Sequence, residues 1–260
     1  AHLKPLFCAM VALAATANAQ LVISQVYGGG GNTGAPYKND YVEIFNRGAS
    51  TASLDGLSIQ YTSATGTGNF GANSGQLVAL SGSVGAGQYF LVKLGGGATG
   101  ADLPTADATG TINMSASAGK IALVTGTDSL GCNGGSTVCD STALARIIDL
   151  VGFGSANFYE GAAAAPTISN TTADLRAGSG CTDTNNNGAD FSSGDPAPRN
   201  SSSSLHVCGA PAPVSITTAS PLPAGTQNLA YSQQLVATGG SASYTWSVVA
   251  GLPANGLSLS

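Results

Sequence analysis

Apolar and polar positions alternate along much of this chain, and the clearest example lies between residues 41 and 46. In the run Tyr41-Val42-Glu43-Ile44-Phe45-Asn46, the aliphatic side chains fall on one face of a strand. The aromatic side chains share the other face with Glu43. Aromatic and β-branched residues favour strands, and Asn46-Arg47-Gly48 then supplies turn chemistry. The pattern predicts a strand with two different faces at the centre of the fold.

Comparable strand patterns recur along the chain, separated by turns rich in Gly, Ser and Thr. No amphipathic helix of convincing length interrupts them. Short strands at such spacing, with turn signals between them, are typical of an all-β protein built as an antiparallel β-sandwich. The predicted strands, besides 41–46, are 21–27, 54–61, 77–80, 88–92, 119–124 and 147–153.

Glu43 is the exceptional residue of the central strand, because it is one of only two glutamates and its neighbours are apolar. We favour a structural carboxylate that is hydrogen-bonded to a neighbouring loop, since buried charges need partners. The alternative is a catalytic carboxylate.

Charged residues make up only 8% of the chain, and the formal net charge is −5. Hydrophobic residues reach 43%, which is too many for a disordered chain of low net charge. The few Lys and Arg residues are scattered, whereas phosphate binding needs them clustered. The sequence therefore predicts no direct nucleic-acid patch.

The first nineteen residues have the pattern of a secretory signal peptide. A positive start precedes an apolar run at 6–15, and Ala17-Asn18-Ala19 is a small-x-small cleavage site. We expect cleavage between Ala19 and Gln20 and a secreted or periplasmic protein. No later stretch is long enough to span a membrane. Because the chain starts with Ala, its true start is expected to lie upstream.

Four cysteines remain after such a cleavage: Cys132, Cys139, Cys181 and Cys208. An even number in an exported protein indicates two disulfides, for which three connectivities exist. We expect Cys132–Cys139 and Cys181–Cys208, since Gly134-Gly135 provides a bend inside the shorter loop. The usual zinc-ligand spacings are missing.

The loop that begins at Asp183 has two interpretations. Asp183, Asn185 and Asn187, followed by Gly188, match the start of a calcium loop, with Asp190 as a further oxygen donor. The bidentate Glu expected at position twelve is replaced by Gly194, for which Asp190 or Asp195 could substitute. We favour an Asx turn anchored by Cys181, with a weak Ca²⁺ site as the alternative.

Several motifs together resemble the lamin tail domain as it occurs in secreted bacterial proteins, over about residues 20–205. The resemblance implies an immunoglobulin-like sandwich and carries no established catalytic residues. Bacterial members often precede a catalytic nuclease or phosphoesterase domain. The motifs are Gln25-Val26-Tyr27 with the glycines that follow, 39–46, 54–57, 85–92, 149–154, 170–172, 183–191 and 196–201.

A second unit is expected after the first. Pro211-Ala212-Pro213 begins a linker, and the motifs after it resemble the first half of an immunoglobulin-like surface module. About fifty residues are too few for a full sandwich of roughly 100, so we expect a fragment of a longer protein. The predicted divisions are a signal peptide (1–19), a lamin tail-like sandwich (20–209), a linker (210–222) and a truncated module (223–260).

Three function classes follow. The leading one is an exported, non-catalytic module that binds an extracellular ligand or spaces neighbouring domains. The alternative is the accessory region of a secreted nuclease or phosphoesterase whose catalytic domain lies beyond Ser260. A self-contained hydrolase is weakest, because after the leader only His206 remains and neither GxSxG nor HExxH occurs.

Overall fold

The computed structural model describes residues 21–209, 214–226, 228–239 and 246–247. The predicted signal peptide and much of the predicted second module lie outside these residues. The strands of the described part are β1 (Leu21–Tyr27), β2 (Asn39–Asn46), β3 (Ala52–Ser53), β4 (Leu57–Ser63), β5 (Leu77–Ala79), β6 (Ser83–Val84), β7 (Tyr89–Gly96), β8 (Ala108–Thr109), β9 (Gly119–Thr125), β10 (Ile147–Phe153), β11 (Ala173–Arg176), β12 (Phe191–Gly194), β13 (Ser215–Ile216) and β14 (Ala237–Thr238). Two short helices accompany them, α1 (Ser141–Leu144) and α2 (Asn187–Asp190).

Two sheets form the body of the fold. The larger has six strands in the order β12-β11-β1-β2-β7-β8, and the smaller has four in the order β10-β9-β4-β5. Neighbouring strands are antiparallel except β7 and β8. A separate short pair joins β3 to β6. The predicted antiparallel β-sandwich is confirmed.

The hydrophobic core lies between the sheets and follows the predicted alternation. Val42 and Ile44 of β2 belong to it, together with Ile59 of β4, Ile121 of β9 and Val151 of β10. The opposite side chains of β2 lie on the outer face of the larger sheet, where Tyr41 and Phe45 join separate apolar clusters. The outer face of the larger sheet is therefore buried at β2 rather than exposed to solvent.

Strands β11 and β12 were missed by the sequence prediction. Each is only four residues long, and β12 carries two exposed serines in place of an apolar alternation. Pairing with β1 defines β11, and pairing with β11 defines β12. These strands form one edge of the larger sheet, and β11 ends at Arg176, which is discussed below.

The chain divides into two compact units, the first ending at Cys208 and the second beginning at Gly209. Within the described residues of the second unit, β13 and β14 pair antiparallel. The predicted linker and truncated module stay predictions.

Candidate functional site

Glu43 lies at the middle of β2 on the outer face of the larger sheet and is fully buried. Its Oε1 accepts hydrogen bonds from the Ser24 hydroxyl at 2.6 Å and the Arg199 Nη2 at 2.7 Å. Its Oε2 accepts from Gln25 Nε2 at 3.1 Å and from the backbone N and Nε of Arg199 at 2.7 and 3.2 Å. Because a carboxylate offers about four lone-pair sites, this carboxylate is saturated.

The segment that follows β12 supplies Arg199 and covers this face. Gln25 holds the backbone of Ala197 at both ends, donating to its O at 2.7 Å and accepting from its N at 3.2 Å. The Arg199 guanidinium lies 3.7 Å above the Tyr89 ring, and its Nη1 donates to the Tyr89 hydroxyl at 2.7 Å. Burial raises the pKa of Tyr89, against the lowering effect of Arg199, so the phenol stays protonated and donates to Ser179 O.

A cavity of about 500 Å³ opens beside this network. Apolar surface comes from Leu175, Ala197 and Pro198, and Ser179 and Arg199 bring polar groups. Arg199 retains partial exposure there, with 27% of its side chain accessible. The remaining lining residues are Ser24, Gln25, Tyr37 and Arg176.

A second charged group is centred on Arg176, whose side chain is fully buried. Its Nη2 contacts both oxygens of Asp149 at 2.8 and 3.0 Å, and Nε donates to Ile23 O at 2.8 Å. Nη1 lies 3.3 Å from Asp183 and 3.5 Å from Asp190. The arginine thus contacts three carboxylates, one on β10 and two in the segment 183–190.

Carboxylate oxygens of Asp149, Glu160 and Asp183 lie within 4.8 Å of one another beside this arginine. Burial raises the pKa of Glu160 to about 8, and the charge of Asp149 adds to the effect. Burial also raises the pKa of Asp149, opposed by Arg176. Such spacing suits a cation, and the Arg176 guanidinium already contacts two of the three residues, Asp149 and Asp183.

The residues of the predicted calcium loop have different hydrogen-bond and ion-pair partners in the structure. Asp183 contacts Arg47 at 2.6 Å, and its Oδ1 accepts from the backbone N of Asn185, which is the Asx turn favoured from the sequence. Asn187 is buried and binds the backbone of Gly152 and Leu150.

Asp190 is also buried and accepts from the backbone N and the hydroxyl of Thr184 at 2.9 and 2.7 Å. Three of the four side chains therefore already have partners that Ca²⁺ would have to displace. Calcium binding at this loop stays a prediction.

A family model described as Lamin Tail Domain matches residues 14–143. The chain belongs to the lamin tail domain family. No curated protein matches it. The match agrees with the resemblance found in the sequence and with an immunoglobulin-like sandwich. The central strand, Glu43 and the partners on β1 lie inside the matched range, whereas Arg176 and Arg199 lie beyond it.

Both expected disulfides are present in this lamin tail domain. Cys132 is bonded to Cys139, with Cα atoms 5.1 Å apart, and Cys181 to Cys208, at 5.5 Å. The second disulfide closes the segment that carries Arg199, and its two cysteines pack against the cluster of Val22, Phe45 and Tyr89. It therefore fastens the covering segment to the outer face.

Sequence reasoning missed the two arginines that organise these groups, because it treated them only as scattered basic residues. A signal was available: a glutamate in an apolar strand needs a cationic partner. It also missed Asp174, which is fully buried and has no hydrogen-bond partner among the described residues. Burial raises the pKa of Asp174 to about 8.

Proposed function

We propose that this lamin tail domain is an exported, non-catalytic β-sandwich module that acts as a binding or spacer domain of a larger extracellular protein. The two disulfides support export, because such bonds persist in oxidising compartments. Within the described residues, no helix is long and apolar enough to cross a membrane.

The saturation of Glu43 is the observation that carries the non-catalytic part of the proposal. A general base must accept a proton from a substrate or water, and a nucleophilic carboxylate needs a free oxygen. Five donors already occupy the two oxygens of Glu43, and three of them come from Arg199. The Glu43 carboxylate holds the segment that carries Arg199 in place. A Glu43 carboxylate free to react would have to release that segment.

The cavity beside Arg199 supports the binding part of the proposal. Ligand sites are commonly clefts of about 300–1,000 Å³ with mostly apolar walls and a few convergent polar groups. The volume of about 500 Å³ and the mixed lining fit that description. Because Glu43 neutralises Arg199, the site favours an uncharged ligand with hydrogen-bond acceptors over a free anion.

An activity assay on the full chain tests the proposal. DNA, RNA and simple phosphate esters are offered to the purified protein with Mg²⁺ or Ca²⁺, beside Glu43→Gln and the exposed-site control Asp102→Asn. We expect no turnover from any of the three proteins. Turnover that follows the folded protein through purification would overturn the proposal, and its loss in a Glu43→Gln protein that is still folded would locate the catalyst.

A further inference from the structure

Lys120 is a buried lysine without a carboxylate partner in the described part of the chain. It lies on β9, its relative exposure is 0%, and none of the ion pairs found there includes it. Its Nζ donates to Asn133 O at 2.8 Å and to Asn157 Oδ1 at 2.9 Å. An isolated buried ammonium is costly, so this environment favours the neutral amine.

The two hydrogen bonds match that neutral form. An ammonium brings three N–H donors, whereas an amine brings two and keeps a lone pair. Two acceptors surround Nζ, one for each N–H of the amine. Burial lowers the pKa of Lys120 in the same direction. A desolvated amine of this kind is an activated nucleophile.

The amide of Asn157 is held directly against this amine. The backbone N of Asn157 donates to Ala64 O at 3.1 Å, which fixes the start of the side chain. The amide packs onto Gly135, where an added Cβ would lie 2.4 Å from Nδ2 and 2.9 Å from Cγ. Gly135 lies in the loop closed by Cys132–Cys139, and that loop also supplies Asn133.

We propose that Lys120 and Asn157 form an intramolecular isopeptide bond. The lone pair of Nζ attacks Cγ of Asn157 after a rotation of the amide. The Nζ–Cγ bond forms, the Cγ–Nδ2 bond breaks, and one Nζ proton passes to Nδ2, so that ammonia leaves. No oxidant or other co-reactant is consumed.

The contact between Nζ of Lys120 and the amide of Asn157 makes the reaction intramolecular. Well-oriented intramolecular groups reach effective concentrations of about 10⁵–10⁸ M. Asn157 is exposed, so ammonia has a way out to solvent. The product also fits the site, because its amide retains one N–H, which keeps the hydrogen bond to Asn133 O.

The bond would join β9 to the loop that follows β10, beyond what the two disulfides already connect. Such a cross-link resists reduction, which suits a domain that works outside the cell. The bond would form whatever ligand the domain binds and whether or not the domain is catalytic.

Mass spectrometry of the reduced full chain tests the inference. Trypsin should leave Lys120 uncut and release one species in which residues 94–146 are linked to residues 147–176, lighter than the two peptides together by one ammonia. Lys120→Arg and Asn157→Ala should each abolish the linked species, and the control Lys93→Arg should keep a Lys120–Asn157 link.

Detection of the linked peptide decides the test. The mass of the intact chain cannot, because cyclisation of an N-terminal Gln20 would also release ammonia. Recovery of two separate peptides, with cleavage after Lys120 and an intact Asn157, would overturn the proposal. That reading needs only the wild-type protein, so it holds even where a variant fails to fold.

Discussion

Glu43 and Arg199 are separated by 156 positions in the chain and are joined by three hydrogen bonds, one of them from the Arg199 backbone. The pair joins the central strand of the larger sheet to the segment that ends at Cys208. Because the side chain and the main chain of Arg199 bind the same carboxylate, the contact fixes the path of the segment as well as its charge. The same contact with Arg199 therefore stabilises the fold and leaves Glu43 without a free carboxylate oxygen.

The two disulfides should contribute unequally to stability. Cys181–Cys208 spans 27 positions and Cys132–Cys139 spans 7, and chain-entropy loss grows with loop length. Cys181→Ser with Cys208→Ser should cost about 1 kcal/mol more free energy of unfolding than Cys132→Ser with Cys139→Ser. Urea titrations of both double variants measure the difference. An equal or reversed order would show that the longer disulfide does not anchor the segment.

Stability should fall as pH rises from about 4 to about 8, in part because of Asp174. The pKa of this carboxyl is about 8 when folded and about 3.9 when unfolded. Between these values the unfolded chain has lost the proton that the folded protein still holds, so ionisation favours unfolding. Asp40, with a pKa raised to about 7, and Glu160, with a pKa of about 8, act in the same direction.

Asp174→Asn should remove its share of this dependence, a few kcal/mol between pH 5 and pH 8. Urea unfolding at several pH values measures the slope, and Asp102→Asn, at a side chain that is 82% exposed, is the control. A slope unchanged by Asp174→Asn would contradict the assignment.

The calcium interpretation of the Asp183 loop predicts weak binding, with a Kd of roughly 10⁻⁴ to 10⁻³ M. At about 100 times the Kd, linkage would add roughly 2.7 kcal/mol to the free energy of unfolding. The measurement is the Tm in chelator and in roughly 10–100 mM calcium, which is about 100 times that Kd range.

Asp183→Ala should abolish the calcium-dependent shift, and Asp102→Ala should keep it. An unchanged wild-type Tm would leave the loop as an Asx turn fastened by Arg47 and Cys181.

Export should expose Gln20 as the first residue. The apolar run at 6–15 and Ala17-Asn18-Ala19 predict cleavage after Ala19. Mass spectrometry of the N-terminal peptide from protein secreted by a bacterial host measures this directly. A secreted protein that still contains residues 6–15 would refute the cleavage site.

The sequence predicted the parts of the fold that depend on local alternation. β2, β4, β7, β9 and β10 are rich in aliphatic, β-branched or aromatic residues, and all were anticipated. β11 and β12 were not, because β11 is defined by its pairing with β1 and β12 by its pairing with β11, rather than by their own short patterns. Both disulfides could be expected, since two cysteines flank a glycine bend and only two others remain.

The charged groups were harder to anticipate, because their partners come from distant parts of the chain. Arg176 reaches Asp149 across 27 positions. The same holds for the loop that begins at Asp183. Its calcium-like spacing does not predict the contact with Arg47, which is 136 positions away. Local spacing identified Asp183 and Asp190, and the tertiary fold supplied Arg47 and Arg176 as their counter-ions.

A double-mutant cycle between Glu43 and Arg199 tests the central claim, that Glu43 is a structural carboxylate, most directly. Arg199→Ala leaves a buried carboxylate without its cation, which should cost about 3–5 kcal/mol of unfolding free energy. The cycle with Glu43→Gln should give a coupling of about 1–3 kcal/mol. The exposed pair Lys38–Asp102, measured in the same way, should give less than about 1 kcal/mol. A Glu43–Arg199 coupling no larger than that of the exposed pair would contradict the account.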